Sequence, residues 1–254
     1  MENFKIEGKS FWEDFGKGSE LLPRHYFDFV SSEKYKELLK DYNIQDKKMI
    51  DIGAGYPTPK EESMDKESSP LASELQEILE RKGASIIPID VAIDPLQRQK
   101  EAGKEVILGS AFELPFKDET IDGGSIILNL LNSSFKGEGG KEIFLTKKEV
   151  KNILEEVYRV LQEKSFVVVN NYGYVVAMVD NLVKMMGPEK DEVVTLEEIK
   201  QIAKEIGFKK IESIPLDPEK VKSGNDLILE SFPKQLKERI SVNLEESGAL
   251  FIEK

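Results

Sequence analysis

Three short stretches carry residue types suited to gripping a small ligand. Asp51-Ile52-Gly53-Ala54-Gly55 closes one apolar run, Asp90 closes a second, and Gly109-Ser110-Ala111-Phe112 follows a third. Glycines after a strand let the backbone turn tightly and approach a ligand closely, and helix N-terminal amides nearby favour a negative group. A carboxylate at a strand end can accept both hydroxyls of a ribose; it can equally cap a helix. Further polar residues follow the later apolar runs: Asn129 and Asn132 after one, Asn170-Asn171-Tyr172 after another. They read as cleft-facing groups or as ordinary turn and cap residues. Arg24, His25 and Tyr26 lie in an aromatic-rich N-terminal stretch. A lid would present them to a substrate, and the plainer reading is an amphipathic cap packed on the domain. His25 is the single histidine and the one imidazole base on offer. No residue is assigned as catalytic.

These groups need elements to position them. From Lys48 onward, short apolar runs alternate with amphipathic segments of helical length. The runs at 49–52, 86–89, 106–108, 124–128, 166–169 and 210–214 read as strands. The stretches 71–81, 95–102, 147–161, 175–186 and 196–206 read as helices, with a further helix opening at Ser32-Glu33. The last strand is either 227–230 or 249–253, with the second preferred and a helix over 233–240 between them. Alternation of this kind predicts βαβ units, hence a doubly wound, mostly parallel α/β sheet of seven strands with helices on both faces. Residues 1–46 form an N-terminal helical cap or lid and 47–254 the α/β domain, of which 217–254 is a variable extension. The polar run Pro57–Ser69 is too long for a strand-to-helix turn and predicts an inserted mobile surface loop. The Asn-, Ser- and Gly-rich stretch 129–140 reads as another loop.

Composition narrows the chemistry. The 254 residues contain no cysteine and one histidine, which removes disulfides, thiolate metal sites and multi-histidine centres; no metal is expected. A net charge of −12 weighs against a protein that grips phosphate backbone, so nucleic acid is not the expected partner. The first ten residues are polar and charged, and no run of apolar residues reaches membrane-spanning length. The expectation is a cytoplasmic chain without a membrane anchor. Its oligomeric state is not legible here.

The order of the motifs says more than any one of them. A glycine loop, a strand-end acid, then Gly109-x-Ala111 followed by Leu114-Pro115-Phe116-x-Asp118-x-x-x-Asp122 before a fourth apolar strand resembles the class I S-adenosylmethionine-dependent methyltransferases. The likeness extends over about Lys48 to Ile214. It includes Glu155-Glu156-Val157-Tyr158-Arg159-Val160-Leu161 and Thr195-Leu196-Glu197-Glu198-Ile199 leading to Gly207-Phe208.

The resemblance implies S-adenosylmethionine as cofactor and methyl transfer to a small-molecule or protein acceptor. It implies that Asp51, Gly53 and Gly55 hold the methionine end and that Asp90 binds the ribose. Ala111 and Phe112 would border the adenine, Val91 would lie against its face, and Ser110 and Asn129 would join the cofactor site. Asp94 competes with Asp90, because Ile93-Asp94-Pro95 also reads as a strand end; counting from Gly83-Ala84 favours Asp90. Arg24, His25, Tyr26, Asn132, Asn171 and Tyr172 would face the acceptor. The chain departs from the pattern at Pro57, where a third glycine is usual, at Ser110, where many members carry Asp, and in the inserted 57–69 loop, which enters where the methionine carboxylate would sit. These departures motivate a second reading, a catalytically inactive binding or assembly module. A third, a nicotinamide-dependent oxidoreductase, would want glycine where Thr58 stands.

Overall fold

The computed structural model describes residues 33–54, 71–128, 134–136, 142–171, 194–215 and 248–254. In chain order these form α1 (Glu33–Lys40), β1 (Lys48–Ile52), α2 (Leu71–Arg81), β2 (Ser85–Asp90), α3 (Ile93–Glu101), β3 (Ile107–Leu108) and β4 (Gly124–Leu128). Then come β5 (Ser134–Lys136), β6 (Glu142–Phe144), α4 (Lys147–Val160), β7 (Phe166–Asn171), α5 (Leu196–Ile206), β8 (Lys210–Pro215) and β9 (Gly248–Glu253). Seven strands make one sheet in the order β3-β2-β1-β4-β7-β9-β8. The first five are mutually parallel, and β9 runs antiparallel between β7 and β8. The doubly wound seven-stranded sheet and the choice of 249–253 as a strand both stand; the 227–230, 175–186 and 233–240 segments lie outside the described residues.

Both faces of the sheet are buried, which is why its central strands are apolar throughout. Phe166, Val167, Val168 and Val169 of β7 are all fully buried. On one face, Val150, Ile153, Leu154 and Val157 of α4 and Ile199, Ile202 and Ala203 of α5 pack over Ile50, Ile52 and Ile127. On the other, Tyr35, Leu38 and Leu39 of α1 and Leu75 and Leu79 of α2 cover Met49, Ile126 and Phe166. The 33–40 part of the N-terminal stretch is thus an amphipathic helix seated on the sheet. Helices α4 and α5 each open with a capping box, Thr146 with Glu149 and Thr195 with Glu198. Each box satisfies two otherwise orphaned amides. Gly207 closes α5 in the left-handed region at φ 113°.

Three details differ from the sequence reading. The stretch 129–140 contains the start of an antiparallel hairpin, β5 with β6, rather than a continuous loop. Strand β7 continues through Asn170 and Asn171, which pair with Ala249 and Gly248. Those two asparagines therefore belong to the strand, not to a turn after it. Helix α3 begins at Ile93 rather than Pro95 and takes Asp94 into its first turn, while β2 ends at Asp90 as the count from Gly83-Ala84 favours. Pro95 is tolerated there because the first helical amides have no intrahelical acceptor to lose.

Pro88, inside β2, is explained by register. The carbonyl of Ile89 points to the β1 side and that of Asp90 to β3, so residue 88 faces the β3 side. Strand β3 pairs only with Ile89 and Asp90, and a missing N–H at residue 88 breaks no ladder bond. Among the described residues no helix is long and apolar enough to cross a membrane.

Gly124 begins β4 at φ 149°, where a Cβ would lie 2.5 Å from the Phe166 carbonyl oxygen of β7. The Gly124→Ala variant is expected to lose about 1–3 kcal/mol of unfolding free energy, the scale of overpacking in a close-packed interior. Urea denaturation measures this, and an unchanged midpoint would show that the β4–β7 ladder yields there.

Candidate functional site

Strand order reverses between β1 and β4, both of which are parallel to their neighbours. Crevices for ligands form outside the carboxyl ends of strands at such a reversal. The residues that end β1, β2 and β3 meet there.

Strand β1 ends by folding over β2. Gly53 takes φ 72°, which suits a residue without Cβ. Its amide donates to the Ile89 carbonyl at 2.8 Å, and the Ala54 amide donates to the same oxygen at 3.2 Å. These two N–H groups are satisfied within the protein. What Gly53 offers a ligand is therefore a sharp turn and an absent side chain, not a free donor.

Asp51 alternates with Ile50 and Ile52 and so faces α2. It is 1% exposed. Gln76 of α2, also fully buried, donates Nε2–H to Asp51 Oδ2. Behind it, Lys104 Nζ donates to Gln76 Oε1 at 2.5 Å and to Glu80 Oε1 at 2.8 Å. Asp51 Oδ1 is buried and has no hydrogen-bond partner among the described residues. Burial pushes the carboxyl up from 3.8 to about 7, against the lowering influence of the Gln76 hydrogen bond and the Lys104 charge, and the Asp90 charge adds a small upward push. An acceptor buried without a donor among the described residues has capacity left for one more hydrogen bond.

Asp90 stands at the end of β2, half-buried, and its Oδ1 accepts the Ala92 amide at 2.9 Å. That bond to the amide two residues on is an Asx turn leading into α3, whose N-cap is Ala92 with no side-chain cap, so Asp90 is not the capping residue. The Gly109 amide donates to the Asp90 carbonyl at 3.0 Å and ties the end of β3 beside it. The next turn closes on itself: the Glu113 amide donates to the Ser110 carbonyl, and the Phe112 amide donates to Ser110 Oγ at 3.2 Å. Ser110, Ala111 and Phe112 thereby sit next to Asp90 and Val91. Val91 and Phe112 are 42% and 43% exposed, with Leu108 and Ile93 more so at 59% and 61%. Large apolar side chains gathered at an open edge mark a surface suited to a ligand or partner.

The Leu114-Pro115-Phe116 run is held from behind by α4. Arg159 donates to the Phe116 carbonyl at 2.8 Å and the Leu114 carbonyl at 3.1 Å, while Glu156 accepts the Leu114 amide at 2.9 Å. Arg159 also pairs with Glu156 at 2.7 Å and with Asp118 at 2.8 Å. Hydrogen bonding to Arg159 holds the Glu156 carboxyl below the usual range. Asp122, the last acid of the motif, faces away from the crevice. It accepts the Lys48 amide at 2.8 Å and pairs with Lys47 at 3.0 Å, which joins the beginnings of β1 and β4. Burial alone would raise its carboxyl, and those two donors more than offset this.

The structure thus brings together Asp51, Gly53, Asp90, Val91, Ser110, Ala111 and Phe112. Asp94 lies one helical turn away on α3. Gly55, Asn129, Arg24, His25, Tyr26, Asn132, Tyr172 and the 57–69 run lie outside the described residues, as does the side chain of Asn171. Asn170 is buried on the α2-facing side of β7. Sequence reasoning missed Gln76 and Lys104. The available signal was a glutamine beside Leu75 on the stripe that otherwise faces the sheet.

Two outcomes follow. Arg159→Met is expected to cost about 1.5–3 kcal/mol and to raise amide exchange at Leu114, since hydrogen bonds to charged groups are worth that much; Arg159→Lys should not restore it, because an ammonium cannot bridge the same fork of acceptors. Denaturation with hydrogen exchange reads both. Because folding raises the Asp51 carboxyl from 3.8 to about 7, the folded chain holds that proton more tightly, and this group costs stability progressively as pH rises through that window. Asp51→Asn should gain stability relative to the parent between those two pH values. Parallel melting curves across the window would overturn this assignment.

No family model and no curated protein matches the chain. Solved structures do resemble it. A Haloferax volcanii chain described as a methyltransferase, in a complex with the Trm112 methyltransferase activator, aligns over 97% of this chain and 95% of that one at 14% identity and a TM-score of 0.58. A Thermotoga maritima S-adenosylmethionine-dependent methyltransferase aligns over 96% and 95% at 14% identity and 0.52. Magnesium protoporphyrin IX methyltransferase from Synechocystis, with bound S-adenosylhomocysteine, aligns over 100% and 88% at 12% identity and 0.51. With the strand order and the single antiparallel strand β9, these likenesses establish that the chain has the class I S-adenosylmethionine-dependent methyltransferase fold.

Proposed function

We propose that the protein transfers a methyl group from S-adenosylmethionine to a small-molecule or protein acceptor. The observation that carries this reading is the buried Oδ1 of Asp51, which has no hydrogen-bond partner among the described residues and is set at the strand reversal beside the Gly53 turn and Asp90. A buried carboxylate oxygen without a donor suits the ammonium of an amino-acid ligand. Asp90 suits the paired hydroxyls of a ribose, and the exposed faces of Val91 and Phe112 suit a flat heterocycle between them. Ser110 Oγ accepts one amide and has a second lone pair for an exocyclic amino group. The residues present therefore fit the group.

The bound cofactor would supply an already activated methyl on a sulfonium. The chain's part is to bind, orient and exclude water. Asp51 would anchor the amino-acid end, Asp90 would fix the sugar, and Val91 with Phe112 would set the plane of the base. Arg159 acts at a distance, by holding the Leu114–Phe116 run directly after the turn from which Ser110 and Phe112 project. Asn129 is proposed to join the cofactor site, and Asn132, Asn171 and Tyr172, with Arg24, His25 and Tyr26, are proposed for the acceptor side.

Calorimetry with S-adenosylmethionine, S-adenosylhomocysteine and NADH tests the reading. Binding of the first two is expected, and binding of NADH alone would overturn it. Binding of S-adenosylhomocysteine without methyl transfer to any small-molecule or protein pool would favour the inactive module. Asp90→Ala should weaken S-adenosylhomocysteine by about 1–3 kcal/mol, the scale for removing a charged hydrogen-bond partner. An unchanged affinity would transfer the ribose contact to Asp94.

A further inference from the structure

Lys104 lies in the connection between α3 and β3, in no motif, yet its ammonium reaches a fully buried glutamine. Its side chain is only 18% exposed, and Glu80 of α2 anchors it at 2.8 Å. A lysine ammonium has three donors and no acceptor, and an ionised carboxylate accepts only. Between them Gln76 can take one orientation: its oxygen toward Lys104 and its NH2 toward Asp51. With the amide so turned, Asp51 is met by a donor and is favoured in its accepting form. Protonated on Oδ1, Asp51 would still accept the Gln76 N–H at Oδ2, but as a neutral acceptor it would do so more weakly than the ionised carboxylate.

We propose that Lys104 is a positioning residue for the cofactor site: held by Glu80, it fixes the direction of the Gln76 carboxamide and so keeps Asp51 an acceptor toward the ligand's ammonium group. This rests on the S-adenosylmethionine reading for the identity of the ligand, though not for the relay itself. Among the described residues, the charged groups that bear on Asp51 are Lys104 and Asp90. Glu80 acts on Lys104, and the other neighbours of Asp51 on its face, Ile126 of β4 and Leu75 of α2, are apolar. Burial drives Asp51 toward its neutral form, and the Gln76 hydrogen bond and then the Lys104 charge oppose it. Apart from Asp51 itself, the hydrogen-bond partner of the Gln76 carboxamide among the described residues is Lys104.

The test uses the full chain, with Lys104→Met and Lys104→Arg. In the ligand-free protein, the Asp51 side-chain carboxyl resonance is followed against pH. Its inflection should move up by about one unit in Lys104→Met and stay in place in Lys104→Arg. S-adenosylhomocysteine affinity should then fall about five- to tenfold near pH 7 in Lys104→Met and return close to the parent's near about pH 8.5, since only the ionised fraction changes. If Lys104→Met does not fold, Lys104→Gln keeps a polar head at this part-buried position and should shift the same inflection upward. An unmoved inflection overturns the relay, and so does an affinity loss equal at both pH values. If the parent binds no S-adenosylhomocysteine at all, the methyl-transfer reading fails, while the carboxyl titration still decides the relay.

Discussion

A carboxylate buried at the end of a parallel strand is the constraint around which the crevice is organised. Removing a charge from water costs several kcal/mol unless hydrogen bonds and opposite charge offset it. At Asp51 the offset is partial: one oxygen is served by Gln76, Lys104 stands one residue behind, and the other oxygen has no donor among the described residues. A site built this way is less stable empty than it could be. Strain of that sort is expected where a ligand completes the interaction, and it is a stability–function trade-off rather than a packing error.

Two motifs far apart in the chain turn out to be one object. Leu114-Pro115-Phe116 and the Glu156–Arg159 pair of α4 are joined by three hydrogen bonds, two to backbone carbonyls and one from a backbone amide, and the pair is itself held together by its guanidinium–carboxylate contact. The guanidinium can do this because its donors are arranged as a fork. The packing consequence is that the Leu114–Phe116 run, directly after the turn bearing Ser110 and Phe112, is tied to a helix whose inner stripe is fully buried. The acids trailing the motif have structural duties, Asp118 on Arg159 and Asp122 on the beginning of β1.

The strands were legible because burial on both faces forces near-continuous apolar runs, as in Phe166–Val169, and because Gly83 and Gly207 punctuate the helices. Asp90 was chosen over Asp94 by counting, and the start of α3 at Ile93 places them as strand end and helix turn. The β5–β6 hairpin was not legible. Its strands are three residues each, too short to show an alternating pattern. The continuation of β7 through Asn170 and Asn171 was missed for a different reason. Asparagine is a poor strand former by itself, and it is paired there by β9, which arrives from the far end of the sequence.

The sequence by itself determined the alternation of elements, the mostly parallel sheet and the order of glycine turn, strand-end acid and third-strand loop, because each is written in local spacing and residue type. Only the tertiary structure decided which neighbours those groups meet. Gln76 is 25 residues and Lys104 a further 28 from the acid they serve, and nothing local marks them as partners. The Gly53 and Ala54 amides were likewise available to a ligand on paper, and folding commits both to Ile89. Local chemistry fixes what a residue can donate or accept; the packing of distant elements fixes what is left over for a ligand.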